Sequence, residues 1–220
     1  LLVEYSVELK KGQTLALNGN VCAAPLIKEC YRQAIRKGAF VDVNLTIDGL
    51  AEIFYEEVSA DQLKHVSPFR EQRMRKVDAL INIWGEENTR SLTNADPRKM
   101  AEFAAANRKI TNIFLNRAAK KELRWVGTQW PTNASAQDAE MSLEEYENFV
   151  FAAGHMNLAD PIKKWKAISA SQNSLAMALN KCAEIRIQAL DTDITLGTKG
   201  NTWINCDGHE NFPDGEVFTG

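Results

Sequence analysis

Apolar and polar residues change rhythm several times along the chain, and each rhythm predicts an element. Residues 14–17 (Thr-Leu-Ala-Leu) form a short apolar run after the turn Lys11-Gly12-Gln13 and predict a buried strand. Residues 25–37 predict a helix closed by Gly38, because Pro25 suits a first turn that needs no N–H and Gly suits the position just past the end. Val41, Val43, Leu45 and Ile47 alternate with Asp42, Asn44, Thr46 and Asp48. That period of two predicts a strand with one wet face. Residues 50–58 and 68–76 read as helices, and residues 79–84 (Ala-Leu-Ile-Asn-Ile-Trp) as a second buried strand. Asp96-Pro97 opens a long helix, with Asp96 as its cap and Met100, Phe103, Ile110 and Phe114 at helical spacing. Residues 123–126 return as a strand.

Ser142-Leu143-Glu144-Glu145 is a capping box, with Met141 and Tyr146 placed as a hydrophobic staple. Asp160-Pro161 opens another long helix, with Ile162, Trp165, Ile168, Leu175 and Leu179 on one side. After Cys182 the texture changes to short apolar runs separated by turn residues, which predicts β-hairpins. The alternation of strands and helices up to that point predicts an α/β layer with a mostly parallel sheet flanked by helices. The expected organisation is an N-terminal α/β domain over residues 1–183 and, over residues 184–220, the beginning of a β-rich second domain. The chain starts with Leu and stops in a strand-like pattern, Glu216-Val217-Phe218-Thr219-Gly220. An unpaired apolar strand at a true terminus is an aggregation liability, so the reading expects a piece of a longer protein.

Composition adds mostly exclusions. The 220 residues are 45% hydrophobic and 25% charged, with a net charge of -3, which is ordinary globular composition and offers no concentrated basic surface for nucleic acid. The basic runs at Arg70, Arg73, Arg75 and Lys76 and at Arg117, Lys120 and Lys121 sit beside acidic residues and read as solvated helix faces. No apolar run approaches the roughly 20 residues that span a bilayer, and the opening residues lack the basic-then-apolar pattern of a secretory signal. The four cysteines, Cys22, Cys30, Cys182 and Cys206, fit neither a small disulfide scaffold nor a Cys-x-x-Cys zinc site. They read as reduced, mostly buried thiols in a cytoplasmic protein.

Candidate chemistry is sparse until the end. The turn Gly19-Asn20-Val21-Cys22 stands where phosphate can bind a helix N-terminus, but it matches neither Gly-x-Gly-x-x-Gly nor the P-loop. His65 and His155 lack an adjacent Cys, Asp or Ser and read as structural or solvated. Gln172 falls on the apolar side of the last long helix and reads as a buried, hydrogen-bonded amide. Residues 206–216 gather Asp207, His209, Glu210, Asp214 and Glu216 in a turn-rich stretch. Such residues can converge on a divalent cation, although spacing alone favours a hairpin tip with solvated charges.

The segment Asn211-Phe212-Pro213-Asp214-Gly215-Glu216-Val217-Phe218-Thr219 resembles the signature of the thermophilic metallo-aminopeptidase family, the aminopeptidase T and S type. Five further blocks follow that family's order. They are Gly85-Glu86-Glu87-Asn88-Thr89-Arg90, Thr128-Gln129-Trp130-Pro131-Thr132 with Met141 to Glu147, Asp160-Pro161-Ile162 with Trp165, Thr192-Asp193, and Trp203-Ile204-Asn205 with Asp207-Gly208. The resemblance runs from about Leu2 to Gly220. Two departures, Gly200-Asn201-Thr202 where a Gly-Arg pair is usual and Ala189 where Gly is common, touch no metal-ligand position.

The resemblance implies a metal-dependent exopeptidase that removes the N-terminal residue from peptides, with an α/β domain preceding a catalytic domain. It implies two divalent ions (zinc, cobalt, manganese or magnesium) held by carboxylates and imidazoles. Glu216 matches the first metal ligand in chain order, and the remaining ligands and the catalytic residues are expected beyond Gly220. One carboxylate cannot hold two ions, so the 220-residue chain alone is expected to be inactive and to bind metal weakly at best. The resemblance also implies a homodimer acting on peptide substrates. The competing expectation is a non-catalytic α/β scaffold of the same ancestry.

Overall fold

The structure is a computed structural model and describes residues 1–219. A short π-helical turn, Leu2–Ser6, leads into β1 (Thr14–Asn20). After a 3₁₀ turn at Val21–Ala23 come α1 (Ala24–Arg36), β2 (Phe40–Thr46), α2 (Leu50–Glu57), α3 (Ala60–Lys64), α4 (Pro68–Lys76) and β3 (Ala79–Trp84). Then follow α5 (Pro97–Ala119), β4 (Arg124–Gln129), α6 (Asn133–Asp138), α7 (Leu143–Ala153) and α8 (Pro161–Leu179). Five strands close the chain: β5 (Glu184–Ala189), β6 (Thr192–Gly197), β7 (Ile204–Cys206), β8 (Asn211–Phe212) and β9 (Glu216–Phe218).

The expected α/β class holds. The central sheet runs β2-β1-β3-β4-β8 with every neighbouring pair parallel, and β5-β6 and β7-β9 are antiparallel pairs. The fifth strand of the sheet comes from the C-terminal stretch, where Asn211 and Phe212 lie beside Gly127 and Thr128. The side chain of Thr128 donates to Phe212 O at 2.8 Å, tying that short strand in place.

Caps lie where the sequence puts them. Asp96 Oδ1 accepts from Arg98 N, and Asp160 Oδ1 accepts from Lys163 N. Ser142 and Glu145 close a reciprocal capping box at the start of α7, which satisfies two backbone donors that the first turn leaves orphaned.

The main core lies on one face of the sheet. Leu15, Leu17, Ile81, Ile83 and Val126 pack there with Ile27 and Cys30 of α1, Tyr5 of the opening turn, Trp165 of α8 and Phe212 of β8. Gly19 lets α1 approach, since a Cβ there would stand 2.7 Å from Ile27 Cδ1. The opposite face buries Ala16, Leu80, Val77 and Leu123 under Met74, Phe114 and Trp125.

Several expectations change. β2 is an edge strand, and its apolar face is left half open, with Leu45 50% exposed. Leu175, expected on the packed side of α8, is likewise exposed, because α8 buries only Trp165 and Ala176. Arg117 is not a solvated charge: its guanidinium donates to Met74 O and Val77 O, both at 2.8 Å, and pins the end of α4. Of the four free thiols only Cys30 is buried, and Cys182 is exposed.

Candidate metal centre

The antiparallel pairing of β7 with β9 sets Cys206 directly opposite Glu216. Cross-strand partners carry their side chains on the same face, so the thiol and the carboxylate lie together. The connecting turn returns through Asp214 and Gly215, and Gly215 N donates to Cys206 O at 3.1 Å. Gly215 adopts a φ of 127°, a conformation that favours glycine. As a result Cys206, Asp214 and Glu216 each offer a ligand atom, all within 4.8 Å of one another. Among the described residues this is the one such group of three or more.

Two features show that the cluster fits a cation. Asp214 Oδ2 is buried with no hydrogen-bond partner, while Oδ1 accepts from Gly215 N at 3.0 Å. A buried carboxylate oxygen without a donor is costly unless something positive meets it. Burial also holds the Asp214 carboxyl above its ordinary range. The Cys206 thiol is pushed up to about 11, first by burial and then by the negative charges of Asp214, Glu216, Glu210 and Asp207. Two carboxylates and a thiol suit zinc or cobalt better than magnesium, which prefers oxygen ligands and water. Three donors can hold one ion and leave open positions; they cannot hold two.

The other acidic residues of the segment do different work. Asp207 is buried and its carboxylate accepts from the Ser169 hydroxyl, from the Asn205 amide and, at 2.5 Å, pairs with His209 Nδ1. The Tyr5 hydroxyl donates to Asp207 O at 2.9 Å, and the Tyr5 and His209 rings lie 4.8 Å apart. Burial, then the Asp207 charge, pushes the Tyr5 phenol up to about 12, so it stays a donor. This network fastens residues 207–209 to the opening turn and to α8. Glu210 leads into β8 and is not one of the three converging donors, and burial raises its carboxyl.

Glu216, singled out from the sequence, is thus joined by Asp214, while Asp207, His209 and Glu210 are not brought to it. Cys206 was missed as a donor, since only the strand register reveals that it faces Glu216. His65 ends α3. His155 sits beside Trp165, with ring centroids 5.9 Å apart. The crevice at the carboxyl ends of β1, β2 and β3, where doubly wound sheets commonly take ligands, is lined by Asp48, Glu52, Glu86 and Glu87. Four carboxylates repel phosphate, in accord with the missing phosphate motifs.

A mostly parallel α/β sheet followed by antiparallel strand pairs, with two carboxylates and a thiol gathered where β7 meets β9, defines an α/β protein with a candidate metal site. The profile of the thermophilic metalloprotease (M29) family matches residues 1–220, and the chain belongs to that family. It is 24% identical over 245 aligned positions to aminopeptidase AmpS of Bacillus subtilis (strain 168), an alignment that covers 100% of this chain and 58% of the relative. In structure it is similar to wild-type AmpT from Thermus thermophilus, with a TM-score of 0.80 and 19% identity over 100% of this chain and 59% of the other; that likeness concerns the fold. The chain therefore spans a little under three-fifths of the relatives it matches. Among the described residues, no helix is long and apolar enough to cross a membrane.

Proposed function

We propose that this chain is the N-terminal part of a two-metal aminopeptidase that hydrolyses the N-terminal residue from peptides. Residues 1–183 are its α/β domain and residues 184–220 open its catalytic domain. The convergence of Glu216 with Asp214 and Cys206, in a chain of a metallopeptidase family, carries the reading. The share of the relatives that the chain spans supports the division, because it leaves room for the remaining ligands in sequence beyond Gly220.

In this reading Glu216 holds the first ion, with Asp214 beside it and Cys206 across the strand pair. A divalent ion held there would supply Lewis-acid polarisation of a scissile carbonyl and a hydroxide nucleophile near neutral pH. The protein's share is to fix the donors. Glu216 and Cys206 are fixed by register, Asp214 by its turn, and the turn itself by the Asp207 network. The second ion and the general base belong to residues beyond Gly220, so residues 1–220 alone bind one ion weakly and hydrolyse nothing. The thiol shifts preference toward zinc or cobalt over manganese and magnesium. We further propose a cytoplasmic homodimer that acts on peptides and engages neither nucleic acid nor membrane.

The test is metal content and hydrolysis of amino-acyl anilides by a protein extended to the relatives' length. Two ions per chain and activity are expected. Glu216→Ala should lose one ion and reduce kcat/KM by more than the roughly 10- to 100-fold that changes around a metal ligand cost. Full activity in Glu216→Ala would overturn the role given to Glu216.

A further inference from the structure

One side chain outside the cluster touches the backbone of two of its members. Gln172, midway along α8, donates through Nε2 to Cys206 O at 3.3 Å and to Glu216 O at 2.6 Å. The amide nitrogen has two hydrogens, and each meets a carbonyl on a different strand. These are the paired residues whose side chains converge with Asp214. The contact belongs to a polar seam along one face of α8. Ser169 holds Asp207, and Asn180 Oδ1 accepts from Trp203 N at 2.9 Å, so α8 grips the strand at three successive points.

Packing alone would not select a glutamine here. Gln172 Oε1 is buried and has no partner, which an apolar side chain of the same length would avoid. What the amide contributes here is its two donors. We propose that Gln172 is the positioning residue of the metal centre. By bridging Cys206 O and Glu216 O it fixes the separation of β7 and β9 at which the thiol and the carboxylate meet one ion. This rests on the metal-centre reading above. It assigns Gln172 no contact with the ion or the substrate.

The residue chemistry orders the variants. Gln172→Met keeps length and helix propensity but donates nothing. Gln172→Glu keeps the shape and sets an acceptor against two carbonyls. Gln172→Lys restores donors on a longer stem. If only charge near the ion mattered, Gln172→Glu would tighten binding; under the positioning account it weakens it.

The experiment titrates the 220-residue chain with Co²⁺ and reads the thiolate-to-cobalt charge-transfer absorption. Alongside it, hydrogen exchange is read at the amides of residues 204–206 and 216–218 without metal. Gln172→Met and Gln172→Glu should weaken Co²⁺ binding about tenfold or more, the equivalent of one lost hydrogen bond to a fixed partner. Gln172→Lys should recover most of the loss, with the helical circular dichroism unchanged throughout. Wild-type affinity and spectrum in Gln172→Met would overturn the proposal. If the wild-type chain gives no band that Cys206→Ser removes, the one-ion site in this chain fails instead. The clamp is then judged by exchange alone: a rise of about tenfold in Gln172→Met at residues 216–218, with β5 and β6 unchanged, sustains it. Equal exchange rejects it.

Discussion

Trp165 ties three parts of the molecule with one side chain. It is the largest fully buried residue; its indole N–H donates to Gly154 O at 2.9 Å, and its ring lies 5.4 Å from that of Phe212. Trp165→Ala should cost about 3–5 kcal/mol by cavity formation. Trp165→Phe should cost about 1–3 kcal/mol, chiefly by leaving Gly154 O without its donor. Urea denaturation of both variants measures this. The thiols offer a second check at this scale. Burial pushes Cys30 up to about 12, and its side chain is enclosed, so at pH 8 it carries almost no thiolate. Iodoacetamide followed by peptide mass spectrometry should find Cys182 labelled first and Cys30 last; rapid labelling of Cys30 in the folded chain would contradict the packing. That Trp165 is buried could be read from its spacing along α8, whereas its bond to Gly154 O could not, because it depends on how α7 and α8 cross.

At the scale of elements, local chemistry was the most legible layer. Asp96-Pro97, Ser142 with Glu145, and Asp160-Pro161 start helices because each side-chain oxygen meets a backbone N–H that the first turn leaves free. Ser142→Ala should accordingly destabilise the protein by about 1 kcal/mol in thermal or chemical denaturation. Burial of faces was less legible. The alternation at residues 41–47 predicts a strand correctly, but how far its apolar face is covered depends on what packs there: α1 touches β2 and Val41 lies against the core, while Val43 and Leu45 stay exposed. The same holds for the candidate site. Glu216 stood out by resemblance and Gln172 as a hydrogen-bonded amide, yet neither the facing of Cys206 on Glu216 nor the partners of Gln172 could be read, since one requires the β7-β9 register and the other the docking of α8. The β5-β6 hairpin carries an apolar face of Ile185, Ile187, Ile194 and Leu196, with Ile187 opposite Ile194 and Ile185 opposite Leu196. A two-stranded hairpin is marginal by itself. Its amides should exchange fast in this chain and become protected, by about tenfold or more, in the extended protein.

At the scale of the whole molecule, the α/β layer is the platform and the cluster sits on the β7-β9 pair, whose connecting stretch supplies β8 to the central sheet. The platform's face buries β1 and β3 under α1, the opening turn and α8, and α8 then carries the polar seam that holds β7 and β9. On the proposed reading the donors for one ion lie in these residues and those for the second in the further length that the relatives have. The most direct measurement is metal stoichiometry by mass spectrometry under native conditions, for the chain of 220 residues and for the extended protein, each with and without Glu216→Ala. The account predicts one weakly held zinc ion on the short chain, two on the long one, and one fewer in each Glu216→Ala variant. Two ions retained by the extended Glu216→Ala protein would contradict it.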